Sequence, residues 1–330
     1  MFTNLLELIK SMPDEKTCRN YLAEQRWGKD KVVCPYCSND KCYVIEGGYR
    51  YKCASKTCYK KFSVITGTFM ESSNIPVSKW LAGVYMVTSA KKGISSYQLG
   101  RQLGIAQKNS WFMIHRIRQV LTTKEDVQLE GIVEIDETYL AKKYRTPYKG
   151  LTPDEVENLT KYSQVENKGA AIGLIQRDGK AVIKAIHSIS KNNIADIVKK
   201  HVKVENTTLM TDESNLYKFS LRDYERKTVC HSKGEWVNKD CHINTVEGLW
   251  SIIKRGLYGT YHQASAKHLQ AYLSEFEFRY NTRKIKDADR FVLSLGSLTG
   301  RLTYKALISE KEAPPKDTRS HYRQNKPDSR

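Results

Sequence analysis

Three acidic residues, Asp136, Asp212 and Glu247, and a run of cysteines between positions 34 and 58 carry the chemistry of this chain. Carboxylates crowded at one place cannot all stay ionised without cations, so a converged acid trio implies divalent metal. Two Mg²⁺ or Mn²⁺ ions in such a site can activate an attacking hydroxyl and stabilise the leaving oxygen of an in-line phosphoryl transfer. The cysteines have a different chemistry. Cys34-Pro35-Tyr36-Cys37 is followed after fifteen residues by Cys53-Ala54-Ser55-Lys56-Thr57-Cys58. Two such pairs on tight turns place four thiolates about one Zn²⁺, and the gap between them suits the hairpin of a zinc ribbon. Cys42 lies in the same run and could displace one of the four, and Cys58, on the wider knuckle, is the least constrained ligand.

The third acid belongs to CHINTVEGLWSIIKRGLYGTY at 241–261. Ile243, Val246, Trp250, Ile253 and Leu257 recur at steps of three and four, which predicts an amphipathic helix. Asn244, Glu247, Ser251 and Lys254 form its polar stripe, with Lys254 two turns beyond Glu247. A simpler reading competes. Asn244 and Glu247 have the spacing of a capping box, in which the glutamate only satisfies a backbone N–H. Asp136 and Asp212 have their own plain readings, as a solvated strand end and a turn or N-cap residue.

The elements that must position these acids follow the order of a ribonuclease H-like fold. VQLEGIVEIDETYL at 127–140 alternates as a strand, with Leu129, Val133 and Ile135 on one face and Asp136 on the other. Asp178-Gly179 marks a hairpin within 170–186, Asn193 to Val202 reads as a helix, and Thr207 to Thr211 as a strand closed by Asp212. Thr228 to His231 forms a last short strand. In that fold the first and fourth strands are neighbours, so Asp136 and Asp212 meet and the next helix brings Glu247. Residues 141–168 are polar and basic without period and read as a long insertion.

Upstream, residues 3–26 fit two short packing helices broken at Met12-Pro13-Asp14. Residues 76–121 read as three helices, the second opened by a capping box at Ser95 and ended at Gly104. This is the outline of a helix-turn-helix, whose third helix would offer Lys108, Asn109, Arg116 and Arg118 to DNA, with Arg255 as a further contact. The expected organisation is a helical segment at 1–30, a zinc ribbon at 31–70, a helix-turn-helix-like region at 71–125, a mixed-sheet α/β catalytic domain at 126–290, and a C-terminal segment at 291–330 with a disordered basic tail.

Composition narrows the partners. Fifty-five Lys and Arg against 36 Asp and Glu give a net charge of +19, which fits a polyanion, and double-stranded DNA above all. No stretch approaches the apolar length of a membrane span, and clustered cysteines point to metal in a reducing compartment, so a cytoplasmic, nucleoid-associated protein is expected.

The wording of several segments resembles a known family. VEIDETYL (133–140), TDE (211–213), HINTVEGLWSIIKRGLYGTYH (242–262) and FEFRYNTR (276–283), with CPYC and FSVITGTFMESSNIPVSKW (62–80), resemble bacterial insertion-sequence transposases that join a zinc ribbon to a DDE-type catalytic domain, relatives of the Merlin transposons. The resemblance implies binding of terminal inverted repeats, metal-dependent DNA end cleavage and strand transfer, by a homo-oligomer on DNA. It also implies Asp136, Asp212 and Glu247 as metal ligands and Lys254 as a phosphate contact. Some members use Asn as the third residue, so Asn244 stands as the alternative to Glu247. His242, His262 and Arg255 are either supporting or DNA-contacting residues. A non-catalytic DNA-binding regulator, derived from a transposase, would also explain the ribbon, the helices and the charge.

Overall fold

The computed structural model describes residues 2–29, 31–122, 127–140, 152, 169–186, 188–230, 240–262, 264–296 and 298–309. The expected insertion at 141–168 and the tail from Glu310 therefore fall almost wholly outside the described residues, as does the segment that joins the last strand to the helix beginning at Asn244.

Two short helices open the chain, α1 (Leu5–Ser11) and α2 (Glu15–Trp27), capped by Asn4 and Asp14, whose side chains accept from Glu7 N and Thr17 N. These caps satisfy orphan helix donors. A small antiparallel sheet follows, β1 (Cys42–Ile45), β2 (Arg50–Cys53) and β3 (Lys61–Phe62). Its apolar side is slight, Tyr51 and Phe62 packed on Trp27, so the fold there leans on the cysteine cluster.

Helices α3 (Val77–Ser89), α4 (Ser96–Leu103) and α5 (Gln107–Leu121) come next. Ser95 caps α4 through Gln98 N, and Gly104 ends it at φ 59°, the left-handed conformation glycine adopts without strain. The three helices share one core with α1 and α2, built around Trp80, Leu81, Phe69 and Met113.

The second half is a five-stranded mixed sheet. Strands β4 (Leu129–Tyr139), β5 (Ala170–Gln176) and β6 (Ala181–Ile186) are antiparallel in sequence. Helix α6 (Lys191–His201) returns the chain so that β7 (Val202–Asp212) pairs parallel with β4. Helix α7 (Asn215–Ser220) then leads to β8 (Glu225–Val229), parallel to β7. The spatial order is β6-β5-β4-β7-β8, which is the ribonuclease H-like arrangement. One face packs on α6 and α7 and the other on α8 (Asn244–Gly259) and α9 (Leu269–Asn281).

Side chains of α9 close the open edge of this sheet. Asn281 accepts from Ala181 N and donates to Ala181 O, Glu277 accepts from Ile183 N, and Gln270 bonds both Ala185 N and Ile183 O. The outward-facing amides of β6 thus have partners, as buried backbone groups require. The last elements among the described residues are α10 (Asp287–Leu295) and α11 (Tyr304–Ile308). Phe291, Leu295 and Leu298 pack back into the N-terminal helical core, so the segment after the sheet completes the core that the first helices began.

Candidate active site and metal centre

The register of β4 and β7 brings the first two acids together. Gly131 to Glu134 pair with Thr207 to Met210 at a constant offset, and the same offset carried two residues further sets Asp136 beside Asp212. Both project to the face covered by α8, because Glu134, Asp136 and the Met210 of the α8-side core share a parity along their strands. On the other side of Asp136 lies Gly173 of β5. A side chain at Gly173 would stand 2.8 Å from the Trp250 ring and 3.2 Å from Val246, so the glycine lets α8 settle close to the sheet.

Helix α8 buries Val246, Trp250, Ile253 and Leu257 against the strands. Its polar stripe then places Glu247, half-buried, at the acid edge. Burial pushes the Asp136 carboxyl up to about 6, and the like charges of Asp212 and Glu247 act in the same direction. The three acids therefore sense one another. Asp212 is oriented by the Ser214 backbone N–H, 3.0 Å from its Oδ1. The buried Trp250 indole N–H faces Asp136 and favours its charged form, though outside full hydrogen-bond geometry, and it has no other protein partner.

The capping-box reading of Asn244 and Glu247 does not hold. The N-cap of α8 is Ile243, and Asn244 is already helical and exposed. The cap comes from β4: the fully buried Glu134 carboxylate accepts from Thr245 N at 2.8 Å, Val246 N at 3.1 Å and Thr245 Oγ1 at 2.8 Å. Arg177 pairs with it at 2.9 Å and also donates to the carbonyls of Asp240 and His242. A carboxylate at a helix N-terminus is favoured by the helix dipole as well as by these bonds. Glu134 went unrecognised at the sequence level, although it stands two residues before Asp136 on the same strand face.

A fourth carboxylate adjoins the trio. Glu137, on the opposite strand face, receives a hydrogen bond from Tyr217 of α7, and burial pushes it up to about 7, with Asp136 and Asp212 adding to the effect.

The all-oxygen donor set of Asp136, Asp212 and Glu247 suits Mg²⁺ or Mn²⁺. Lys254 is half-buried on the same stripe as Glu247, and Arg255 is exposed.

Among the described residues, one group has the spacing of a closed metal site: Cys34, Cys37, Cys53 and Cys58. Cys34 and Cys58 sulfurs are 3.9 Å apart and those of Cys37 and Cys53 3.5 Å. A tetrahedron with Zn–S bonds of about 2.3 Å has edges of about 3.8 Å, so the four sulfurs fit zinc. Cys42 is outside the group, its sulfur turned to the Asn39 carbonyl.

Two of the DNA contacts expected from the third helix of the helix-turn-helix-like region, Arg116 and Arg118, require correction. Helix α5 is buried from Met113 to Arg118, while Lys108 and Asn109 in its first turn and Gln119 near its end are exposed. Arg116 donates to the carbonyls of Leu302 and Glu71, and Arg118 pairs with buried Glu275 of α9 at 2.6 Å. Neither guanidinium can reach DNA. Their partners come from segments far along the chain, which periodicity does not reveal.

Residues 128–281 match the ISXO2-like transposase domain, and residues 13–61 match the transposase zinc-ribbon domain. The chain is 28% identical over 284 residues to an uncharacterized protein in transposable element ISH50 of Halobacterium salinarum, a match that covers 82% of this chain and 92% of that protein. Among solved structures, the Mos1 strand transfer complex is matched at 12% identity and TM-score 0.26 over 66% of this chain and 74% of that one. A pre-cleavage Mos1 transpososome is matched at 12% and 0.25 over 68% and 80%. At these scores the fold assignment rests on the strand order and register.

Proposed function

Because the chain belongs to the insertion-sequence transposases that join a zinc ribbon to a DDE-type domain, we propose that it binds the terminal inverted repeats of its element and carries out metal-dependent DNA end cleavage and strand transfer. The observation that supports this most is the common register of Asp136 and Asp212 on neighbouring parallel strands, with Glu247 held over them by a helix that Glu134 caps.

Asp136, Asp212 and Glu247 would hold the divalent ions, which when bound would supply charge stabilisation and an activated oxygen nucleophile. Asp212 is fixed by Ser214 N–H before any substrate arrives. Trp250 shields the carboxylates from water on the helix side, where a drier site strengthens their hold on cations. Lys254 supplies a point charge for a DNA phosphate, two turns from Glu247. Asn244, exposed at the first turn, contacts DNA rather than metal, and exposed Lys108, Asn109 and Arg255 add phosphate contacts. The cysteine cluster holds structural Zn²⁺ and presents the basic and aromatic ribbon surface to DNA.

The test uses purified protein, Mg²⁺ and a labelled duplex that carries the inverted repeat beside its gene. The wild type is expected to cut at the repeat end and join it to a second DNA, while Asp212→Asn binds without cutting. Equal cleavage by the variant refutes the metal mechanism. Binding without cleavage by both proteins, with Mn²⁺ and paired ends also tried, favours a DNA-binding regulator.

A further inference from the structure

The acid site occupies one flank of α8. On the opposite flank, Leu249 and Ile252 line a cleft of about 510 Å³ whose other walls come from the end of α3 and from α9 and α10. Lys91, Arg279, Arg283 and Arg290 all border it, against one acid, Asp287.

The charges there are poorly matched. Arg290 pairs with Asp287 at 2.7 Å and is otherwise used up by the Thr282 hydroxyl and carbonyl. Arg279 shares Glu275 with Arg118, so that triad keeps one net positive charge in the interior. Arg279 is 7% exposed, and its Nε and Nη1 have no partner in full hydrogen-bond geometry, although the Tyr261 hydroxyl stands beside the guanidinium. Buried guanidinium donors without acceptors cost free energy unless a ligand or water meets them. Among the described residues Arg283 bonds the neutral carbonyls of Gly179 and Tyr280 and pairs with no carboxylate. Its guanidinium lies 4.0 Å over the Tyr280 ring, and the outer face of such a stacked pair is a platform for a nucleobase.

We propose that this cleft is a second DNA-binding site, for an unpaired strand, which takes one backbone phosphate between Lys91, Arg279 and Arg283 and stacks the adjoining unpaired base on the Arg283–Tyr280 platform. The apolar floor of Leu249 and Ile252 and the stacked pair favour a nucleotide unit over a bare anion. This site rests on the reading of the chain as a DNA transposase and extends it: a strand engaged here lies across α8 from the metal site.

Lys91→Glu and Arg283→Gln, both at exposed positions, test it in the full zinc-loaded chain. Anisotropy of a labelled repeat duplex that carries a single-stranded overhang is measured over a salt series, with thermal melts to confirm that both variants fold. Each variant is expected to lower affinity about three- to tenfold and to reduce the log–log salt slope by about one, the signature of one lost phosphate contact. Wild-type slope and affinity in both variants would overturn the site while leaving wild-type cleavage, and so the transposase reading, intact. No DNA binding by wild type would overturn both. A labelled mononucleotide that wild type binds and both variants lose, with duplex binding unchanged, would reassign the phosphate to a free nucleotide and overturn the DNA assignment.

Discussion

At the scale of single residues, Glu134 and Gly173 hold the acid site together without belonging to its expected ligand set. Glu134→Gln removes the charge from a buried carboxylate that Arg177 and the α8 N-terminus both use. Breaking a buried pair from one side costs roughly 3 kcal/mol. Chemical denaturation should show a loss of that order, accompanied by a fall in cleavage because Glu247 moves with the helix; a loss near zero would mean the cap is dispensable. Gly173→Ala places a methyl against Trp250, and overpacking of this kind costs about 1–3 kcal/mol. Its effect on cleavage should exceed its effect on DNA binding, and the ratio of the two is the readout. The sequence pointed to Asp136, Asp212 and Glu247 because they fall on successive elements of a known order, Asp212 at the end of its strand and Glu247 in the first turn of its helix. It did not reveal Glu134, because a buried strand glutamate is recognised only by the helix end it meets, more than a hundred residues away.

At the scale of elements, α9 does two jobs that its sequence disguises. It seals the β6 edge with Gln270, Glu277 and Asn281, and it carries Glu275, which anchors Arg118 of α5. Asn281→Ala should expose the amide and carbonyl of Ala181 at an edge strand and promote self-association on heating, measurable by light scattering. Scattering like that of wild type would show that the edge needs no such cover.

The same junction predicts an acid sensitivity. His115, between Trp111, His268 and Tyr272 and beside Arg118, is held down to about 2, first by burial and then by the Arg118 charge. The unfolded chain takes up this proton near 6.5 and the folded chain does not, so stability is present above 6.5 and is lost as pH falls below it. One unit below that value the loss is about 1 kcal/mol. In His115→Gln the decline of melting temperature between pH 6.5 and 5 should flatten; an unaltered decline would place the acid sensitivity elsewhere. The existence of the three helices 76–121 was readable from their period and caps. The depth of α5 was not, because arginines at 116 and 118 read as surface until Glu275 and the Leu302 carbonyl are brought against them.

At the scale of the whole molecule, the cysteine-bound ribbon has a core of its own, joined to the rest mainly through Trp27, while the sheet is packed on both faces by its own helices. Chelating zinc should therefore abolish hydrogen-exchange protection across 34–62 and weaken repeat binding before the sheet loses protection. Simultaneous loss in both regions would show that they fold as one unit. The zinc spacing and the α/β order were legible from local signals. The return of Phe291 and Leu298 to the N-terminal core was not, since no local pattern links residues that far apart. The central claim remains that acids from β4, β7 and α8 form one metal site acting on DNA. It is tested most directly by Mn²⁺ titration of the full chain bound to its terminal repeat, followed by electron paramagnetic resonance. Wild type and Asn244→Ala should take up about two ions per chain, and Asp136→Asn, Asp212→Asn and Glu247→Gln each fewer. Full occupancy in the Glu247→Gln protein, or loss in Asn244→Ala, would contradict the account.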